Sequence, residues 1–323
     1  MICNELYDGQ GLGNQLWNYA VTRIIAKRYG VDFYIEHSER FKGKDFMTLD
    51  FGTLPENAPK EYYKERSEYL CGTDIDISRT DPALLSFSDD MKFDGNCQST
   101  KYLEGHHSDI ISWMQINDAY RQYKTDEHAC IIHIRFGDFA GQEDVFLPAD
   151  YYRNAMNYIK EKDPEVRFYC VTDEKDKAKK FLPDVEIIGA SQEDTADPHK
   201  ATHHKGGPIG MDFCILLEAQ YLIIPNSSFS WWAGYLNTNK KIIIAPKYWA
   251  RYNTSDGYWS TSDIITDGFT YLDRHGTIST AEACWQEKES YEANHPDMFC
   301  DTKTVTRPSL WHRVSKKLWK SKK

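Results

Sequence analysis

HACIIHIRFGD, residues 128–138, is an apolar, β-branched run that ends in a charged loop. That is the form of a strand buried on both faces. The chain beyond it repeats the theme. LPADYYRNAMNYIKEKDP (147–164) reads as a helix with Asp150 as its cap, VRFYCVTDE (166–174) as a strand and DKAKKFLP (176–183) as a helix. DVEIIGA (184–190) is a strand, GMDFCILLEAQ (210–220) a helix, and YLIIPNSS (221–228) a strand with its loop. FSWWAGYLN (229–237) is a helix and KKIIIAPKYW (240–249) a strand and loop. Strands alternating with helices through short links predict a parallel sheet covered on both faces, with ligands at the carboxyl ends of its strands. His133, Arg135, Thr172, Asp173, Asn226 to Ser228 and Pro246 to Trp249 stand at those ends.

Upstream, GQGLGNQLWNYA (9–20) places three glycines on alternate positions before a helical pattern. Leu16, Tyr19, Ala20, Ile24 and Ala26 have near-helical spacing, and Gly30 stands where a C-cap belongs. VDFYIE (31–36) is a strand, so the chain opens β–loop–α–β. Residues 37–95 are polar and without period, and loops with short helices are expected there.

At 323 residues the chain exceeds what one hydrophobic core usually supports, so two domains are expected. Eight cysteines show no Cys-x-x-Cys pair and no metal-ligand spacing. Cys130, Cys170 and Cys214 lie in apolar runs, where cysteine acts as a small hydrophobe; a reducing compartment follows. The opening MICNELYDGQG lacks the basic and apolar regions of a signal peptide, and no stretch approaches ~18 uninterrupted apolar residues. A cytoplasmic location is expected. The net charge of −10 hides an asymmetry, because residues 307–323 hold seven of the 39 Lys/Arg and no acid. The remaining 32 basic residues face 49 acidic ones, which argues against general nucleic-acid binding.

In IIHIRFGDF, strand alternation sends His133 and Arg135 to one face, within reach of one ligand. Arg135 reads either as a bidentate phosphate ligand or as half of a structural pair with Asp138. In IIPNSSFSWW, Asn226, Ser227, Ser228 and Ser230 precede a helix, whose free N–H groups suit an anion. The alternative is N-capping by Ser228 or Ser230. Two anion-ready loops from neighbouring strands fit a diphosphate better than a carboxylate.

Together these segments resemble glycosyltransferase family 11, the α-1,2-fucosyltransferases. HIRFGDF is similar to that family's His-x-Arg-Arg-Gly-Asp-Tyr segment, and NSSFSWWAGYLN with IIAPKYW to its Asn-Ser-Ser-Phe-Ser-Trp-Trp and Ala-Pro segments. GQGLGNQLWNYA resembles its Gly-Leu-Gly-Asn-Gln segment, and GNCQSTKYL (95–103) its Gly-x-x-Gln-Ser-x-Lys-Tyr stretch. The matches run in the family's order over about three quarters of the chain, residues 9 to 249.

The resemblance implies an α/β chain of GT-B type, two Rossmann-like domains with a cleft between them. The corresponding division is 1–127 on the acceptor side, 128–275 for the GDP-sugar donor, and 276–323 as a helical extension with a basic tail. It implies transfer of fucose from GDP-fucose, with inversion and without cofactor or metal, to the 2-hydroxyl of a galactose in a glycan. Surface-polysaccharide assembly of O-antigen type is the setting. By the match, Arg135 would hold the diphosphate and His133 would lie near the nucleoside or phosphates. Asn226, Ser227, Ser228 and Phe229 would add phosphate contacts, and Asp212 would accept from guanine. Gly11 and Gly13 would let the backbone approach the fucosyl-diphosphate. Asn14 and Gln15 would hydrogen-bond donor or acceptor, Gln15 on the acceptor side; the alternative is that Asn14 caps the helix.

One departure is Phe136, where the family carries a second Arg; Lys247 or Arg251 would then supply the charge. Phe139 replaces a Tyr. Inversion asks for a carboxylate base opposite the leaving GDP. Asp138 and Glu143 are the candidates, with Glu143 favoured because it lies ten residues after His133, the offset of a basic Glu in more distant fucosyltransferases.

Four rival readings are weaker. The Asp-Ile-Asp of 74–76 follows no buried strand and reads as solvated loop rather than a metal motif. Adjacent histidines at 106–107 and 203–204 face different ways in regular structure and make poor metal sites. A nicotinamide oxidoreductase would use Asp32, but Gly9, Gly11 and Gly13 have the wrong spacing and Asn14 stands in place of the last glycine. A non-catalytic sugar-binding protein would leave Arg135 and the Ser-rich loop unexplained.

In the tail, Leu310, Trp311, Val314 and Leu318 share one arc, opposite Arg313, Lys316, Lys317 and Lys320. A basic amphipathic helix of this kind suits an anionic membrane, here the cytoplasmic face of the inner membrane and a lipid-linked oligosaccharide acceptor. Its alternative is packing onto the amino-terminal domain.

Overall fold

The computed structural model describes residues 1–57, 59–72, 76–77, 79–189, 209–259 and 263–301. In its first half β1 (Ile2–Glu5) leads into α1 (Leu12–Tyr29) and β2 (Phe33–Glu36). Short strands come next: β3 (Met47–Thr48), β4 (Glu61–Lys64), β5 (Glu68–Leu70), β6 (Asp76–Ile77) and β7 (Met91–Asp94). Helix α2 (His107–Trp113) and β8 (Gln115–Ile116) close this half. Its main sheet is parallel throughout, in the order β2-β1-β7-β4.

Residues 37–95 therefore supply two strands of that sheet, where loops and short helices were expected. β7 alternates buried with half-buried residues, and β4 is a largely exposed edge. Neither offers the continuous apolar run that marks a buried parallel strand.

In the second half, each strand and helix read between 128 and 249 is present. They are β9 (Ala129–Ile134), α3 (Ala149–Lys162), β10 (Arg167–Thr172), α4 (Lys175–Phe181) and β11 (Glu186–Ile187). Then come α5 (Ile209–Leu217), β12 (Tyr221–Ile223), α6 (Ser228–Leu236) and β13 (Ile242–Pro246). β14 (Thr270–Leu272), β15 (Ile278–Thr280), α7 (Ala281–Asn294) and β16 (Phe299–Cys300) complete the described chain. The sheet order is β11-β10-β9-β12-β13-β14-β15, parallel except for the β14–β15 pair. Strand order turns around between β9 and β12, and in sheets of this kind the crevice that takes a ligand lies at such a switch point, outside the strands' carboxyl ends. Two parallel sheets with helices between them agree with the two-domain α/β architecture the sequence implied.

Two local readings change. α3 is capped at Pro148, and Asp150 lies inside its first turn, where an acid suits the helix dipole. The boundary read at 275 falls in the turn between β14 and β15, so residues 278–280 extend the second sheet. β16 instead crosses back to pair with β5, in a small sheet of order β16-β5-β6. The basic tail of 307–323, His203-His204, and Asp74 and Ile75 of the Asp-Ile-Asp triplet lie outside the described residues.

The two halves are joined by tryptophan. Trp17 of α1 stacks on Trp231 of α6 with ring centroids 4.4 Å apart, and meets Trp232 edge-on at 5.0 Å. All three rings are buried. Thirteen of the 18 residues of α1 are buried, so this helix has no polar face and its sequence shows only a blurred apolar stripe. Gly30 ends it in the left-handed conformation at φ 64°, giving its N–H to Ala26 and Lys27, as the sequence implied. A second link runs through Asp263, whose carboxylate takes the Thr80 N–H and hydroxyl at 2.7 and 2.8 Å and lies 3.4 Å from Lys288.

Candidate active site

The pleat of β9 decides what faces the crevice. Ile131 packs on the α1–α6 side, while Cys130, Ile132 and Ile134 pack in the opposite core under α3. His133 shares the side of Ile131, with its ring 5.8 Å from that of Phe229 at the start of α6. Phe136 joins the other core, 5.5 Å from Phe146 and 5.6 Å from Phe181. Position 136 thus serves packing here, and the residue that departs from the family pattern faces away from the crevice.

Arg135 is buried and held by two acids. Asp138 Oδ1 accepts from its Nε and Nη2 at 3.1 and 2.9 Å, and Asp173 Oδ2 lies 3.3 Å from Nε. Asp173, at the end of β10, also accepts the Phe136 N–H at 2.8 Å. Burial pushes the Asp173 carboxyl above the usual range, and the Phe136 N–H and Arg135 only partly oppose this. The structural Arg135–Asp138 pair is therefore present. Because the pair sits at a strand end in the crevice, it leaves open a phosphate role for Arg135 alongside it.

Helices α1 and α6 meet at their amino ends. A Cβ on Gly13 would lie 2.5 Å from the Ser228 carbonyl carbon and 2.7 Å from the Phe229 nitrogen. Only glycine lets the two backbones approach this closely. The N-caps are Gly11 and Ser227, and neither helix is capped by a side chain. Asn14 lies inside α1 rather than capping it. Its Oδ1 accepts from Ser228 Oγ at 2.9 Å and from Gln98 Nε2 at 2.8 Å, binding three of the sequence-matched segments together. Capping by Ser228 or Ser230 does not occur; Ser230 Oγ donates to the Ser227 carbonyl at 3.3 Å. Nothing lies within 4 Å of a Cβ at Gly11, so this position opens to space.

Two expected ligands are committed to the protein itself. Gln15 donates to the Arg40 carbonyl and accepts the Lys42 N–H, both at 2.9 Å, which hangs the loop after β2 from α1. Asn226 donates to the Val145 carbonyl at 2.7 Å and accepts the Ala250 N–H at 2.9 Å, tying two loops beside the crevice. Both amides position loops. Asp212 lies in the first turn of α5 and is half-buried; a Cβ on Gly189 would strike its Oδ1. Glu143 lies exposed in the loop between β9 and α3, where its carbonyl accepts from Asn253 Nδ2 at 2.6 Å.

The two alternative cations are engaged: Lys247 with Glu287, and Arg251 with Asp144. His106 and His107 go separate ways, to Asp109 Oδ2 and the Tyr235 carbonyl, each at 3.0 Å. None of the eight cysteines is in a disulfide, and Cys130, Cys170 and Cys214 are buried as read.

A family model for glycosyl transferase family 11 matches residues 108–272, about half the chain, and covers the second-sheet side of the site, from His133 to Arg251. The chain belongs to glycosyl transferase family 11. Membership sets aside the oxidoreductase and the non-catalytic sugar-binding protein. Two curated relatives from Escherichia coli agree. An O-antigen biosynthesis glycosyltransferase, WbnK, is 24% identical over 67% of this chain and 70% of its own length. An alpha-1,2-colitosyltransferase is 27% identical over 51% of this chain and 58% of its own length. This family 11 chain thus spans less than two thirds of the second relative. Among solved structures, fucosyltransferase NodZ from Bradyrhizobium overlays 75% of this chain and 94% of its own, at 16% identity and a TM-score of 0.42. So loose an overlay carries no weight; the architecture rests on this chain's own sheets.

Gln98 and Lys42 are site neighbours that no sequence pattern singled out for a role. Gln98 stood in a quoted family segment, and only the fold brings it to Asn14. Lys42 lies in the stretch without period.

Proposed function

We propose that this family 11 glycosyltransferase transfers fucose, with inversion, from GDP-fucose to the 2-hydroxyl of a β-galactoside in a surface polysaccharide of O-antigen type. The observation that carries the reading is the meeting of the uncapped amino ends of α1 and α6 beside Arg135, at the switch point of the second sheet. Backbone N–H groups from two helices and a guanidinium suit a diphosphate. In the step, the galactoside oxygen bonds to the fucosyl anomeric carbon as the bond from that carbon to the phosphate oxygen breaks. GDP leaves with the bonding electrons, and the hydroxyl proton passes to a carboxylate. Glu143 is the better base, because Asp138 is clamped by Arg135. The helix ends and Arg135 would stabilise charge growing on the leaving GDP without a metal or cofactor. Asp212 would select guanine.

The deciding experiment offers GDP-fucose, and in parallel the GDP derivative of colitose, with a panel of β-galactosides, with and without chelator, followed by linkage analysis. A 1,2-linked fucosyl product that forms equally in chelator is expected. Linkage to another hydroxyl, or loss in chelator, would refute that part of the reading.

Among the described residues no helix is long and apolar enough to cross a membrane. Residues 307–323 are proposed to bring the enzyme to an anionic cytoplasmic leaflet. Flotation with anionic liposomes, full length against a chain ended at Arg307, tests this; equal flotation would remove it.

A further inference from the structure

Charge at the end of β9 does not by itself suit a diphosphate. Among the described residues Arg135 faces two carboxylates, Asp138 and Asp173. Lys247, Arg251 and Arg40 are each paired with an acid, Arg40 with Asp8.

Lys42 differs from all of these. Its backbone N–H is fixed to Gln15 Oε1 at 2.9 Å, one turn into α1. A Cβ on the next residue, Gly43, would lie 3.2 Å from Leu12 Cδ1, which sets the loop against the first residue of α1. The next residue of that helix, Gly13, abuts Ser228 and Phe229, and Phe229 packs on His133 two positions before Arg135. This run of contacts carries Lys42 from the first sheet to the crevice of the second. The side chain is half-buried, and among the described residues its ammonium has neither an ion pair nor a hydrogen bond.

We propose that Lys42 is a second cation on the nucleotide-sugar diphosphate, brought from the amino-terminal sheet to face Arg135 across the cleft. This deepens the transferase reading and rests on it. Burial, and then the charge of Arg135, hold the Lys42 ammonium below the ordinary lysine range. Two cations that repel each other in a partly dry crevice are relieved by an anion between them. Lys42 thus supplies the charge that position 136, turned into the opposite core, does not. Since the two cations come from different sheets, the diphosphate would also hold the halves together.

Calorimetric titration of GDP and of guanosine into the full chain tests this, using native protein, Lys42→Met and Lys42→Arg. Lys42→Met is expected to weaken GDP about ten- to a hundredfold, as loss of one charge-assisted contact does. Guanosine binding is expected to stay unchanged, and Lys42→Arg to recover most of the loss. Melting temperatures matched to the native protein show that the loop, held through the Lys42 backbone, is intact. Native-like GDP affinity in Lys42→Met, or equal loss of guanosine, would overturn the role of Lys42 and leave the transferase reading standing. Failure of the native protein to bind GDP would overturn both.

Discussion

The contact between Gly13 and the start of α6 allows a sharp test. In Gly13→Ala the new carbon would lie 2.5 Å from the Ser228 carbonyl carbon, 2.7 Å from the Phe229 nitrogen and against the Ser228 hydroxyl. Two carbons rest at about 3.5 Å, so the amino ends of the helices must part by about 1 Å. The obstacle is backbone and cannot rotate aside. Overpacking costs about 1–3 kcal/mol, and the better helix propensity of alanine returns about 1 kcal/mol. The net loss of up to about 2 kcal/mol, spread over a chain of this size, lowers Tm by at most about 3 °C. Function should suffer far more, since about 1 Å of misplacement in a positioned site costs about a hundredfold in rate. The assay is turnover with the galactoside selected from the panel, together with GDP affinity. A folded Gly13→Ala enzyme with turnover within about threefold of native would refute the claim that the helix ends must touch.

Further outcomes rest on the charged and thiol groups. Burial works to raise the Asp263 carboxyl, but Lys288, the Thr80 N–H and hydroxyl, and Lys101 outweigh it and hold it below its usual value. Its stabilising effect is therefore present above the unfolded carboxylate value and lost as pH falls through the lower folded one. Asp263→Ala, which removes one of the two carboxylates on buried Lys288 and the acceptor of the Thr80 N–H, should cost about 2 kcal/mol in denaturant unfolding at neutral pH, and less in acid. His128 is raised by its hydrogen bond to Asp163, at 2.8 Å. Its contribution is full below the ordinary histidine value and lost as pH rises through the raised one. The stability gap between native protein and His128→Ala should accordingly shrink from mildly acidic to alkaline pH, and a constant gap would refute the pairing. The exposed Cys71 thiol is pushed up to about 11, first by its hydrogen bond with Cys300 and then by burial. Cys300→Ala should speed iodoacetamide labelling of Cys71 at pH about 8 by a few-fold, read by mass spectrometry.

The second sheet was legible because each of its central strands is buried on both faces and is written as an unbroken apolar run. The first was legible only at β1, α1 and β2. β4 and β7 are short and half-wet, and the pairings of β7 with β1 and of β4 with β7 join residues some ninety and thirty positions apart, which no local period records. At the site, Arg135, His133 and the Ser-rich loop could be read from strand-end position and residue chemistry. Gln15 and Asn226 read equally well as ligands, because an amide at a helix start or loop says nothing about whether the protein itself will use both its ends. Lys42 could not be found locally at all; only the Gln15 clamp gives it a place.

The pairing of β16 with β5 has a consequence for the order in which the molecule is made. The small sheet β16-β5-β6 joins residues 299–300 to residues 68–77. Throughout synthesis, β5 therefore waits with an open hydrogen-bonding edge until residues 299–300 emerge, about 230 residues after it. Open edges invite pairing with the wrong strand, and with neighbouring chains on a polysome. The first half cannot be finished before the second, and a ribosome that stalls within α7 releases a chain with that edge uncovered.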